Sequence, residues 1–154
     1  MGKVELYEYD FNVWIHQQIQ MLKSGNLQQL DVAHLITELE EMSKSDLRAL
    51  ESRLMILIAH LLKWQFQFET LTRQWQNYEG KSWRNTLIEQ RAQLRHLLKK
   101  VPSLKREFPK AMTEIYAEAV SVAEKETQLP RSTFPTSCPY TIEQLLDDEF
   151  YPAA

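Results

Sequence analysis

The sequence predicts an all-α fold, a single-domain helical bundle of about five helices. Apolar residues recur at spacings of three and four along most of the chain, which is the period of a packed helix. The 154 residues include only three glycines, too few for the tight turns that a sandwich or barrel of short strands needs. The hydrophobic fraction of 44% and the charged fraction of 25% are typical of a chain that buries a core. These observations exclude a mainly β fold and a disordered chain.

The first two helices are predicted from their ends and their apolar spacing. One helix begins after Asp10 and closes before Gly25, since glycine favours the left-handed conformation that ends many helices. Asp31 is the expected N-cap of the next helix. The apolar face of that second helix, which we expect to be buried, comprises Leu35, Ile36, Leu39 and Met42.

A break is predicted at residues 43–45, where the segment MSKSD interrupts the pattern. A seam of alternating three- and four-residue spacing then runs from Leu47 to Trp64, and a second runs from Trp83 to Val101. This spacing packs helices at shallow angles in bundles. Between the seams, residues 65–82 are predicted to be a loop or a frayed helix.

Two further helices and an irregular segment complete the predicted domain, residues 1–154. One helix contains Pro109, which must lie in its first turn or cause a kink. Residues 128–140 hold three prolines and are predicted to be an extended strap. Thr141 and Gln144 form a capping-box pair that starts a short last helix. Residues 1–9 are assigned to an N-terminal tail.

No apolar run is long enough to span a membrane, because the most apolar stretch contains His60 and ends at Lys63. The N-terminus lacks the basic and apolar regions of a secretory signal. The single cysteine, Cys138, cannot form an internal disulfide, which is typical of a reducing compartment. A cytoplasmic protein is therefore expected.

Several stretches are similar to a known family. They are ELEEM at 38–42, HLLKWQ at 60–65, SW at 82–83, EQR at 89–91, PSL at 102–104 and FPTSCPYTIEQLLDDEF at 134–150. From about Tyr7 to Pro152 the chain resembles the domain-of-unknown-function family numbered twenty-nine, which is common in cyanobacteria. The resemblance implies an all-helical fold in short bacterial proteins and no established activity, substrate or cofactor.

Candidate metal ligands lie on the second predicted helix, where His34, Glu38 and Glu41 share one face. A di-iron site in a bundle needs Glu-x-x-His pairs from two helices, and this sequence has none. We therefore favour a solvated polar face. A metal-dependent enzyme that also used His60 is a third hypothesis for the function.

Catalytic residues are not predicted, and no cofactor is expected. His60 lies among apolar neighbours without an adjacent nucleophile or carboxylate, which favours a half-buried structural histidine. Cys138 has no adjacent basic residue that would favour its thiolate form. The sequence also lacks a nucleophile elbow, a phosphate-binding glycine loop and a zinc-type cysteine cluster.

The most distinctive signal is a basic segment from Arg73 to Lys110, with ten Lys and Arg against three acidic residues. Four cations fall on one helical stripe: Arg84, Arg91, Arg95 and Lys99. With Trp75, Tyr78 and Trp83 near its start, this stripe could contact phosphates and stack bases. The alternative that we favour pairs the cations internally, with Glu38, Glu40, Glu41 or Glu51.

The leading hypothesis for the function is a non-enzymatic helical module that binds another protein or a second copy of itself. Trp75 lies off the seams, and a tryptophan beside Arg73 and Tyr78 has the composition of an interface anchor. The alternative is a nucleic-acid-binding regulator that uses the basic stripe.

Overall fold

The computed structural model describes the backbone at residues 3–75 and 78–153 and the side chains at residues 6–67 and 81–153. No described residue lies in a β-strand, so the all-α prediction is confirmed. The described residues contain six α-helices: α1 Lys3–Tyr9, α2 Phe11–Ser24, α3 Val32–Trp75, α4 Tyr78–Lys100, α5 Leu104–Thr127 and α6 Ile142–Leu146.

Three boundaries differ from those predicted. Residues 3–9, assigned to a tail, form α1. The helix is unbroken at residues 43–45, because α3 continues from Val32 to Trp75. Most of the predicted loop is also helical, since α3 ends at Trp75 and α4 begins at Tyr78. In each case a helix covers residues for which the apolar periodicity predicts none, because local pattern and propensity are weak guides that tertiary context overrides.

The predicted caps are confirmed. Gly25 follows α2 with φ +77°, and its N–H donates to the carbonyl of Leu22. The N–H of His34 donates to Asp31 Oδ1 at 3.4 Å, so Asp31 caps α3. Thr141 and Gln144 form the reciprocal capping box of α6. Pro109 is the sixth residue of α5, so it lies inside the helix and leaves the carbonyl of Lys105 without its helical donor.

The chain divides into two compact units, residues 1–44 and residues 45–154. The first is called the N-terminal unit and the second the C-terminal unit. The prediction that residues 1–154 form one domain stays a prediction.

The C-terminal unit contains a large hydrophobic core. Leu50, Leu54, Leu57 and Leu61 of the first predicted seam are fully buried. The second seam contributes Leu87 and Leu94 from α4, and α5 adds Phe108 and Ala119. Leu145 of α6 is also completely buried. Both predicted seams are thus core faces.

Residues 128–140, predicted as an extended strap, include one turn of 3-10 helix at Arg131–Thr133. Phe134 and Tyr140 are buried in the core of the C-terminal unit. The Tyr116 hydroxyl donates to the carbonyl of Pro135 at 2.7 Å, and the Tyr140 hydroxyl donates to Gln65 Oε1 at 2.8 Å. Side chains from α3 and α5 therefore bind this segment.

Within the described part of the chain, every helix is too short or too polar to cross a lipid bilayer.

Candidate functional site

The N-terminal unit is organised around a buried polar network. Trp14 of α2 is 1% exposed, and its indole N–H donates to Asp31 Oδ2 at 3.0 Å. The backbone N–H of Asp31 donates to Gln18 Oε1 at 2.8 Å, and His34 Nδ1 lies 2.7 Å from Asp31 Oδ2. Burial alone raises the pKa of Asp31, but the hydrogen bonds from His34 and Trp14 outweigh it and lower that pKa. The carboxylate therefore joins α2 to the start of α3.

Tyr7 closes this network from α1. Its ring stacks on the ring of His34, with centroids 3.9 Å apart, and meets Trp14 edge-on at 4.8 Å. Its hydroxyl donates to a carboxylate oxygen of Glu38. Tyr7 was not predicted as a site residue, because residues 1–9 were assigned to a tail. An aromatic residue four positions before Phe11 was the available signal.

The metal-ligand candidates occupy this polar side. His34 and Glu38 are half-buried and bonded to Asp31 and Tyr7, whereas Glu41 is exposed and pairs with Lys44 at 3.6 Å. Among the described side chains, no group of three or more His, Cys, Asp and Glu residues is placed to hold a metal ion.

The apolar side of α3, opposite these polar residues, faces solvent. Leu39 is 63% exposed and Met42 is 67% exposed, and Val32 and Ile36 are each at least half exposed. At roughly 100° of rotation per residue, these four side chains fall within about 120° of one another. The prediction that this face is buried was therefore wrong for Ile36, Leu39 and Met42. Polar bonds to Tyr7 and Trp14, rather than hydrophobic contact, determine which side of α3 faces inward.

Helix α2 has a matching exposed strip. Its buried side carries Trp14 and Gln18, and the apolar residues beside them remain exposed: Phe11, Ile19 and Leu22. The strip is displaced by about 70° from the buried side.

The two strips lie on the same side of the helix pair. Gln18 bonds to Asp31, and Trp14 bonds to Asp31 and packs edge-on against His34, so α2 and the start of α3 run in opposite directions. On both helices the apolar strip is rotated in the same sense from the line of contact. In an antiparallel pair, rotation in the same sense brings both strips to one side. We call this surface the hairpin face; its members are Phe11, Ile19, Leu22, Val32, Ile36, Leu39 and Met42.

The hairpin face is unusual within the described chain. Eleven large hydrophobic side chains are described as exposed, and ten of them belong to residues 9–42. Conversely, Trp14 is the one buried hydrophobic side chain among residues 6–44. The N-terminal unit thus exposes most of its apolar residues and buries polar ones.

The predicted basic stripe lies in the C-terminal unit, and Arg91 is not on its surface. Arg91 has 0% exposure and binds the end of α6 and the residues beyond it. Its Nε donates to the carbonyl of Leu145 at 2.9 Å, and its Nη2 donates to the carbonyls of Gln144 and Phe150 at 3.1 and 2.8 Å. Burial lowers the pKa of Arg91, yet a guanidinium keeps its charge in proteins. Arg91 is therefore removed from any surface that could contact phosphate.

Two other cations of the stripe also contact the C-terminal segment, residues 146–151. Arg95 Nη1 donates to the carbonyl of Leu146 at 3.2 Å and to Asp148 Oδ1 at 2.9 Å. The guanidinium of Arg84 lies 5.8 Å from the ring centroid of Tyr151. Internal pairing was predicted for Arg91 and Arg95, and both are paired within the protein. The partners are not the predicted glutamates, because the acceptors are mainly backbone carbonyls, which a charge pattern does not reveal. Lys99 is exposed.

The aromatic candidates at the start of the stripe divide into two groups. Trp83 is buried, and Lys63 Nζ lies 5.0 Å from the centroid of its ring. Lys63 also pairs with Glu126. Trp83 is therefore a core residue rather than an exposed platform for bases. The side chains of Trp75 and Tyr78 lie outside the described residues.

His60 is half-buried in the C-terminal unit, and its Nδ1 lies 2.9 Å from the carbonyl of Ile56. Burial lowers the pKa of His60, and the nearby Lys63 lowers it further, against the smaller opposing effects of Ile56 and Glu126. The structural role predicted for His60 agrees with this bond.

We expect the stability of the C-terminal unit to fall as the pH drops below the ordinary histidine pKa of about 6.5. The unfolded chain binds a proton at His60 more readily than the folded chain, so acid favours unfolding until the pH reaches the lowered pKa. Urea denaturation across this range measures the effect. His60→Gln should flatten the slope, whereas the same change at exposed His96 should alter it less; equal slopes for both variants would contradict this assignment.

Cys138 lines a cavity of about 440 Å³ between α5 and the proline-rich segment. Burial raises the pKa of the Cys138 thiol, and its Sγ lies 3.7 Å from the carbonyl of Tyr140. Burial also raises the pKa of Tyr116, which lines the same cavity from α5, to about 12. Both groups are therefore protonated at neutral pH, which does not favour nucleophilic chemistry.

The chain matches a known protein family. The family model described as "Domain of unknown function DUF29" matches residues 6–151. The chain belongs to the DUF29 family. The matched range includes the hairpin face as well as Arg91 and its acceptors. No curated protein matched the chain, and neither did any solved structure. Membership of DUF29 brings no established activity.

Proposed function

We infer that this DUF29 protein is a non-enzymatic helical interaction module that binds a protein partner through the hairpin face. The observation that carries the proposal is the reversed polarity of the N-terminal unit, in which the apolar side of α3 faces solvent and the polar side faces inward. The proposal places the protein in the cytoplasm, where a single unpaired cysteine is typical.

The size of the hairpin face supports this function. Seven large side chains, each about half exposed, present on the order of 700 Å² of surface to solvent, close to the roughly 800 Å² that each partner contributes to a standard interface. Contiguous apolar patches on monomeric proteins seldom exceed a few hundred Å².

The nucleic-acid alternative has weaker support. Of the four cations on the stripe, Arg91 is buried and the exposed Arg95 is bonded to Leu146 and Asp148, so Arg84 and Lys99 are the two members most available to phosphate. Two such cations neutralise few phosphates, and binding strength depends on the number neutralised.

Photo-crosslinking in the cell of origin tests the proposed function. A photoreactive residue in place of Leu39 should give a discrete protein adduct, because a partner would cover this position. The same residue in place of exposed Thr37, which lies on α3 outside the hairpin face, should give little adduct. Ile36→Glu should abolish the Leu39 adduct. If Leu39 yields no adduct, or one that Ile36→Glu leaves intact, the proposed function is wrong.

A further inference from the structure

We propose that the partner covering the hairpin face is a second copy of this chain, an inference that rests on the proposed function. Two hairpins related by a twofold axis would bring four helices together around one apolar core. Twofold dimers are the commonest protein assemblies, and each copy then presents the same surface to the other.

The interior of the N-terminal unit gives the first argument. Trp14 is its one buried hydrophobic side chain among residues 6–44, and the other buried side chains there are the polar Gln18 and Asp31. A segment of this size buries too little apolar surface to be stable without further support. A second hairpin supplies that support at once, because it covers the apolar strips of both α2 and α3.

The shape of the surface gives the second argument. A single helix from a partner would cover one groove, but the hairpin face extends over two antiparallel helices. Two antiparallel helices laid across it make a four-helix arrangement, which has room for the apolar residues of both layers. The area of about 700 Å² per copy is sufficient for a stable dimer.

The charges of the N-terminal unit provide a diagnostic for the kind of partner. Residues 1–44 contain seven acidic residues and three lysines, a net charge of −4. Asp31 and Glu38 lie on the polar side, bonded to His34 and Tyr7, so a second copy meets neutral side chains rather than these carboxylates. Because the two copies repel weakly at long range, added salt should strengthen the dimer or leave it unchanged. A basic partner would show the opposite dependence.

Sedimentation of the full chain from about 1 to about 200 µM tests the proposal, since a dimer must depend on concentration. We expect a dimer in the wild type and a dissociation constant about 100-fold higher for Leu39→Glu, because each substitution occurs twice in a twofold interface. Thr37→Glu adds the same charge to the same helix outside the hairpin face, and it should leave the dissociation constant unchanged.

Hydrogen exchange provides a second measurement that needs no variant. The amides of α2 should exchange more slowly as the concentration rises, while those of α5 stay constant. A monomer at the highest concentration, with unchanged exchange in α2, would overturn the second-copy inference. The proposed function would then still be judged by the Leu39 adduct, which would contain a different protein; absence of that adduct would reject the proposed function itself.

Discussion

Replacing Arg91 with alanine is expected to lower the free energy of unfolding of the C-terminal unit by on the order of 4 kcal/mol. Arg91 donates to three backbone carbonyls, those of Gln144, Leu145 and Phe150. Alanine removes the described donor from the carbonyls of Leu145 and Phe150, whereas the carbonyl of Gln144 keeps the N–H of Asp147. It also leaves a cavity in place of a side chain that is fully buried. Urea denaturation followed by circular dichroism measures the loss.

Arg84→Ala is the matched control, because Arg84 is a cation on the same helix that is exposed and contacts only the face of Tyr151 among the contacts described. Arg84→Ala should lower the free energy of unfolding by less than about 1 kcal/mol. Arg91→Lys should recover part of the stability and not all, since an ammonium cannot reproduce the planar fork that reaches separate carbonyls. An alanine variant within about 1 kcal/mol of the wild type would contradict this account of Arg91.

The second large effect is expected at Trp14. Trp14→Ala removes the sole buried hydrophobic side chain described in the N-terminal unit, a change that typically costs about 3 to 5 kcal/mol. Since no other hydrophobic side chain among residues 6–44 is fully buried, its helices should open locally. Hydrogen exchange should show loss of protection throughout α2 with unchanged protection in α5.

Trp14→Phe distinguishes the contribution of the aromatic ring from that of its hydrogen bond. Phenylalanine keeps the aromatic contacts with Tyr7 and loses the bond to Asp31, so protection in α2 should fall by about 1 kcal/mol. If Trp14→Ala leaves exchange in α2 unchanged, then the buried indole is not what stabilises the N-terminal unit.

The core of the C-terminal unit was predictable because apolar periodicity and burial coincide there. Leu50, Leu54, Leu57 and Leu61 follow the three-and-four spacing, and all four are completely buried. Helix ends were predictable where a single residue decides them, as at Gly25. A helix cap depends on a few neighbouring residues, so the sequence shows it directly.

The candidate site was less predictable, because it depends on which partner a helix meets. Periodicity locates the apolar strip of Ile36 and Leu39, but it cannot tell whether that strip faces a core or solvent. The contacts that decide the question come from Tyr7 and Trp14, at separations of 17 to 31 residues. Likewise, the charge of Arg91 is visible in the sequence, whereas the backbone carbonyls that accept from it are not.

The position of Arg91 along the chain has a consequence for folding. Its three acceptors lie 53, 54 and 59 residues further on, so the ribosome makes α4 well before the groups that α4 must bind. Contacts at such separation form slowly and after local ones, because a long loop must first close. During synthesis we expect this guanidinium to stay hydrated until its acceptors arrive, so that α4 packs completely only then. The C-terminal unit should therefore complete its fold late, when Arg91 binds the end of α6.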